Sequence, residues 1–349
     1  MVNRQRRDES KSMGQNKHKY PLLVSLAEYS RLKWRWIIVS ITIALLLFLL
    51  LIIIIPGDSD PGRHTLIFWL NALRGPVLIV YILVLYPPLW HLYIKATDTL
   101  KQLLVIKENS VSGLMTKAFT FDRRIEWAGM FAGMGLYLVL IQPWKGDSGD
   151  VWFIAYMAVT HIIMFSLLGG LIYFTLASIR RFSLLGSQRL NIDIFNTEAL
   201  SPLARWSFLI SFAWMGGITL SVVFQYPETL VLWFNIVIYG FLLLVALLVF
   251  FLSLWNVHSV MAGIKRQELR TVRINLAKVY NEMKVTLSKN GLKGIDSLSS
   301  TITSLEAYKR MIQEVPEWPL NMSIMKRLLA SGVAPVAVYI VRFLTSSGT

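Results

Sequence analysis

Residues 257–289 read VHSVMAGIKRQELRTVRINLAKVYNEMKVTLSK. Leu269, Val272, Leu276, Val279 and Met283 recur there at alternating steps of three and four, the spacing of inward positions on packed helices. No helix breaker separates this stretch from the apolar block Leu230–Trp255 before it. The two therefore read as one helix that leaves an apolar layer and projects about 50 Å beyond it at 1.5 Å per residue. Asn290-Gly291 to Gly294 should end it. Leu298, Ile302, Leu305, Ile312 and Val315 give a second amphipathic helix that can return antiparallel. Pro316 and Pro319 bracket Trp318 and interrupt that helix before a last apolar block at residues 323–344.

Further apolar blocks lie at about 36–55, 66–90, 125–144, 151–177 and 202–225. Each is close to the roughly 20 residues that cross a bilayer as a helix. Composition agrees: 55% of the 349 residues are hydrophobic and 16% charged, against about a quarter charged in soluble domains. The block at 36–55 is too long for the core of a cleavable signal and reads as a retained first span. Before it, Tyr20–Ser30 has the pattern of a short amphipathic helix lying on the membrane face.

Charge orients the spans. Of 35 Lys and Arg, 31 fall in the amino-terminal segment and the connections at 91–124, 178–205 and 257–322 with the start of the last block. Asp58, Asp60, Asp147, Asp150 and Glu228 fall in the alternate, short connections. The expected fold is thus all-α, with seven transmembrane helices, a cytoplasmic amino terminus, an external carboxyl terminus and a cytoplasmic helical collar. Its parts are a segment 1–33, a six-helix bundle 34–256, a helical hairpin 257–322 and a seventh span 323–344. The net charge of +15 is then explained by topology and lipid headgroups, with no nucleic acid as partner and the cell membrane as location.

Cysteine is absent, which removes disulfides, thiolate metal sites and a Cys nucleophile. The five histidines are scattered, and no HExxH, GxSxG or phosphate-binding glycine loop occurs. No catalytic residue, cofactor or metal is therefore expected, and no enzyme. Within the spans, Gly129-x3-Gly133 would let another helix approach closely, Ser201-Pro202 suits an N-cap followed by proline, and mid-span His161 suits a hydrogen bond to a neighbouring helix.

Two groups are candidates for function. Trp69, Arg74, Trp152, Tyr156, Trp214, Phe224 and Trp233 gather toward the expected outer half, where they either line a pocket for a small apolar ligand or belong to the interfacial aromatic belt. Arg74 either snorkels to the outer rim or is a functional intramembrane charge. In the last span Arg327, Ser331, Pro335, Val338 and Arg342 share one helical face, with Gly332 and Ala334 alongside. Small and weakly polar residues with a charge at each mouth suit a face turned to a water path or a tight helix contact. An ordinary terminal span anchored by Lys326 and Arg327 has the same pattern.

Leu190-Asn-Ile-Asp-Ile-Phe195, Leu200-Ser-Pro-Leu-Ala-Arg205 and Val315-Pro-Glu-Trp-Pro319 before a final apolar helix resemble a group of uncharacterised prokaryotic multi-pass membrane proteins. The expected architecture is similar to that of insect gustatory and odorant receptors: seven spans, short outer loops, inner helical extensions in a layer and a span after that layer. The second resemblance implies a tetrameric ligand-gated cation channel, with the last helix lining the pore and a ligand pocket in the outer half. The last helix departs from the receptors' signature, in which five apolar residues separate Tyr from Gln-Phe; here it reads Tyr339-Ile-Val-Arg-Phe343. Architecture alone does not fix activity.

The leading expectation is an oligomeric, ligand-gated, chemoreceptor-like ion channel, a homotetramer joined through its last helix and cytoplasmic helices, with Arg327, Ser331, Pro335, Val338 and Arg342 lining the pore. A secondary transporter and a non-conducting sensor or scaffold are the alternatives.

Overall fold

The structure is a computed structural model that describes residues 21–22, 25, 34–54, 66–104, 121–141, 151–186, 195, 200–230, 232–290, 295–318 and 322–347. Most of the amino-terminal segment with its expected amphipathic helix, the turns after the first and third spans, and most of the 190–195 phrase lie outside the described residues. Nine helices and no strand are present among the described residues. They are α1 (Trp34–Ile54), α2 (Leu66–Gln102), α3 (Arg123–Ile141), α4 (Val151–Gly186), α5 (Ser201–Val223), α6 (Pro227–Leu230), α7 (Trp233–Asn290), α8 (Ile295–Glu314) and α9 (Met322–Ser347). Six of them (α1, α2, α4, α5, α7 and α9) are long and apolar enough to cross a membrane.

Two helices outrun the expected spans. The block at 66–90 continues to Gln102, so the start of the polar connection at 91–124 is helix, and the block at 151–177 continues to Gly186. Pro76, Pro87 and Pro88 all lie inside α2. A proline deprives the carbonyl four residues earlier of its amide partner. For two of these the partner is replaced: Tyr156 Oη donates to the Ala72 carbonyl at 3.0 Å, and Trp34 Nε1 donates to the Leu83 carbonyl at 2.9 Å. With both carbonyls satisfied, α2 passes through its prolines without breaking.

A difference of one residue appears at α5. Ser201 is its first helical residue, Pro202 follows in the first turn, and the N-cap is Leu200, which has no capping side chain. The apolar block 230–255 and the heptad stretch do form one helix, α7, of 58 residues, about 87 Å long.

The order of contacts fixes helix directions. α1 runs antiparallel to α2, since Trp34 meets Leu83 and Leu49 packs beside Ala72. α4 is parallel to α2 and α3 antiparallel to α4: Gly75 meets Thr160, whereas Gly129 meets Gly169 and Gly133 meets Phe165. α5 is the central helix, with α2, α7 and α9 all packed on it. Its serines allow α7 close: Ser211 Oγ donates to the Ala246 carbonyl at 2.7 Å, and Ser253 Oγ to Ser207 Oγ at 2.6 Å. α9 runs parallel to α5, with Ser331 beside Met215 and Arg342 bonded to the Val223 carbonyl.

The main core lies toward the end that carries the basic connections, where Tyr93, Phe121, Phe174, Phe182 and Trp206 are buried together. Beyond it, α7 and α8 form an antiparallel hairpin sealed by Leu269, Val272 and Leu276 against Ile302, Leu305, Ile312 and Val315. Lys265 Nζ holds the joint, donating to the Gln313 and Val315 carbonyls at 3.0 and 2.8 Å. It thereby caps the carboxyl end of α8 with a positive charge, the favourable sign there. Trp318 stacks on His258 at 4.0 Å.

Candidate functional site

The polar centre of the bundle sits between α2, α3 and α4. Arg74 Nη2 is 3.1 Å from His161 Nε2, and His161 Nδ1 is 2.7 Å from the Met157 carbonyl. The second contact assigns the proton to Nδ1 and leaves Nε2 as the acceptor for the guanidinium. Tyr137 of α3 stacks on the imidazole, ring centroids 5.6 Å apart at 15°. Gly75 makes room by facing Thr160, whose Cβ and hydroxyl would lie 3.1 Å from any added Cβ. The mid-span histidine is hydrogen-bonded to a neighbouring helix through Arg74, and the arginine is directed at that helix.

The other expected pocket residues separate. Trp69 and Tyr156 meet in one apolar cluster with Leu49, Ala72 and Phe153, and the Tyr156 hydroxyl is engaged by Ala72. Trp214 packs against the main core. Phe224 is the C-cap of α5. Trp152 and Trp233 are 59% and 74% exposed, the position of belt residues. Trp69 and Tyr156 are thus brought together in one cluster, while Arg74 is engaged with His161 and the other four lie elsewhere.

The expected path-lining face of α9 is turned inward. Ser331 Oγ donates to Met215 Sδ at 3.2 Å, Val338 packs with Ile218, Val222 and Leu230, and Arg342 bonds Val223. Pro335 is buried and Arg327 exposed. Small residues let α9 lie tightly on α5, and Ser331, Val338 and Arg342 make a helix contact within the subunit. Flanking that face, Ala330, Val333, Ala334, Ala337 and Val341 are exposed, and Leu329, Val336 and Ile340 are exposed on the far side.

Between α5, α7 and α9 lies an apolar cavity of about 150 Å³, lined among others by Ile218, Val222, Tyr239, Gly240, Pro335 and Tyr339. The two tyrosine hydroxyls are already used, Tyr239 by Gln225 and Ser221 and Tyr339 by the Leu230 carbonyl. None of the seven expected pocket residues lines it.

At the basic end Arg181 is buried, its guanidinium 3.6 Å from the centre of the Phe121 ring and its Nη1 2.8 Å from the Tyr93 hydroxyl. Glu126 accepts the Leu22 amide on both carboxylate oxygens at 2.8 and 2.9 Å, which fastens the amino-terminal segment to α3. On the hairpin, Tyr280 donates to Glu306, and that bond raises the phenol above its ordinary value. Among the described residues no group of three His, Asp or Glu is placed to hold a metal ion.

Tyr137, Tyr239 and Arg181 were not singled out from sequence. Tyr137 follows Gly129 and Gly133 at steps of four, so it lies on the glycine face that meets α4. Arg181 follows Phe174 by seven and precedes Phe182, which placed it on a core face once the helix was extended. No protein-family model, curated protein or solved structure matches this chain.

Proposed function

We propose that this chain is one subunit of a homotetrameric, ligand-gated ion channel of the cell membrane, with seven passes, a cytoplasmic amino terminus and an external carboxyl terminus. The seven passes are supported by direction: α1, α3, α5 and α9 run one way and α2, α4 and α7 the other. On this reading α3, with 19 residues, crosses beside α4. The concentration of basic residues in alternate connections supports this orientation.

The observation that carries the channel reading is the outward stripe of α9. Once Ser331, Val338 and Arg342 are spent on α5, the exposed positions of α9 between 329 and 341 are all small or aliphatic, with Ala330, Ala334 and Ala337 at steps of four and three. Such a stripe on the last helix, at the rim of the bundle, suits rotation-related copies meeting at an axis. We therefore assign the lining to Ala330, Val333, Ala334, Ala337 and Val341. Reconstitution into planar bilayers tests it. Single-channel steps that shrink with Ala334→Trp or Ala337→Trp, and not with Leu46→Trp in α1, are expected; a monomeric protein or a silent bilayer sinks the reading.

One observation favours the secondary transporter instead: the interhelical Arg74–His161 pair, since intramembrane ionisable groups often mark substrate paths. Saturable, gradient-dependent flux without unitary steps would put that reading first.

A further inference from the structure

Arg74 lies eight residues into α2, about 12 Å along the axis, and turns toward α4. Its hydrogen-bond acceptor there is a neutral imidazole, which satisfies one guanidinium N–H and none of the charge. Among the described residues, the titratable groups near enough to act on Arg74 are Tyr239, Tyr137, Tyr226 and His161, with no aspartate or glutamate. A guanidinium keeps its proton, and an interior cation ordinarily has an anion or a strong acceptor set beside it.

Two further donors face the same place. The remaining guanidinium N–H groups are not sealed off by protein. The Tyr137 hydroxyl, on the ring that covers His161, has no hydrogen-bond partner among the described residues. A cation with several N–H groups and a phenol O–H is a donor-rich set that seeks oxygen acceptors. Leu73 adjoins Arg74 in the chain and Met157 carries the carbonyl bonded by His161; both belong to an apolar cluster with Trp69, Ala72 and Phe153, closed on its other side by Phe48 and Leu49 of α1.

We propose that Arg74 and Tyr137, oriented by His161, receive the anionic head of a carboxylate or phosphate ligand whose apolar body lies along that cluster. The guanidinium takes two oxygens side by side, and the Tyr137 hydroxyl donates a third bond. His161 is a positioning residue, since its Nε2 holds the guanidinium in place. The site stands whether or not the assembly conducts, so its failure would leave the channel reading untouched.

The test uses full-length protein in a neutral maltoside detergent and in nanodiscs, read by thermal unfolding. Octanoate is compared with octanol, which has the same chain without the charge, and with inorganic phosphate. Phosphatidylglycerol discs are compared with phosphatidylcholine discs. Octanoate or phosphate should raise the melting temperature of the unaltered protein, octanol should not, and Arg74→Gln should abolish the rise. A rise confined to phosphatidylglycerol discs identifies a lipid headgroup as the source of the same chemistry; a rise with octanoate or phosphate in detergent identifies a free ligand. Tyr137→Phe should weaken octanoate about tenfold, the loss of one charge-assisted bond. Without added anion, Arg74→Gln should melt no lower than the unaltered protein, because it removes a cation that has no counter-charge among the described residues. If Arg74→Gln is strongly destabilised without anion, or if no probe produces a shift that Arg74→Gln removes, the proposal is overturned.

Discussion

The hydroxyl of Tyr156 donates to the carbonyl of Ala72 at 3.0 Å, and Ala72 is the residue whose carbonyl Pro76 leaves without an amide. Tyr156, expected from sequence as a pocket residue, is thus a component of α2 contributed by α4. Tyr156→Phe should destabilise the protein by about 1–3 kcal/mol, the cost of an unsatisfied buried carbonyl. In a Pro76→Ala background the new amide reaches the Ala72 carbonyl, so Tyr156→Phe should then cost little. Denaturation of the four proteins of this cycle measures the coupling directly; additive effects would show that the hydroxyl does not serve the proline.

Gly133 and Gly169 hold α3 against α4. A Cβ on Gly133 would run into the Phe165 carbonyl, and one on Gly169 into the Gly129 carbonyl, both backbone atoms with little freedom to retreat. Gly133→Ala should therefore cost about 1–3 kcal/mol, the range for overpacking. By contrast Gly135→Ala, where nothing lies within 4 Å, should be neutral or stabilising by up to about 1 kcal/mol from helix propensity. Melting temperatures of the two variants in one detergent check the contrast.

These two pairs also show what the sequence could disclose. Gly129-x3-Gly133 announced a close helix contact because the absence of a side chain is itself the signal. The hairpin of α7 and α8 was legible for a similar reason: Leu269, Val272 and Leu276 face one way at helical spacing, and so do Ile302, Leu305 and Ile312. The continuity of α2 through Pro87-Pro88 was not legible, since it depends on Trp34, some fifty positions away, which satisfies the Leu83 carbonyl. Likewise Arg181 read as part of a solvated basic loop, because nothing local reveals that Phe121 and Tyr93 will enclose it. The Arg74–His161 pair was visible only as two candidates, because its geometry depends on α2 and α4 running parallel with a fixed stagger.

The two faces of α9 offer the sharpest comparison between packing and function. The chain contains no cysteine, so single cysteines can be placed without background. Ala334→Cys and Val338→Cys differ by one turn along the same helix, yet Ala334 is exposed and Val338 is packed with Ile218, Val222 and Leu230. If the Ala330–Val341 stripe lines a water path, a charged, membrane-impermeant thiol reagent should label Ala334→Cys quickly and Val338→Cys slowly, since only a hydrated thiol ionises and reacts. A bifunctional thiol reagent should also join neighbouring subunits through Ala334→Cys. A stripe facing lipid would leave both thiols unlabelled, because the charged reagent does not enter hydrocarbon. Faster labelling at Val338 or Ser331 would return the path to the face that lies on α5 and would place it inside each subunit rather than between subunits.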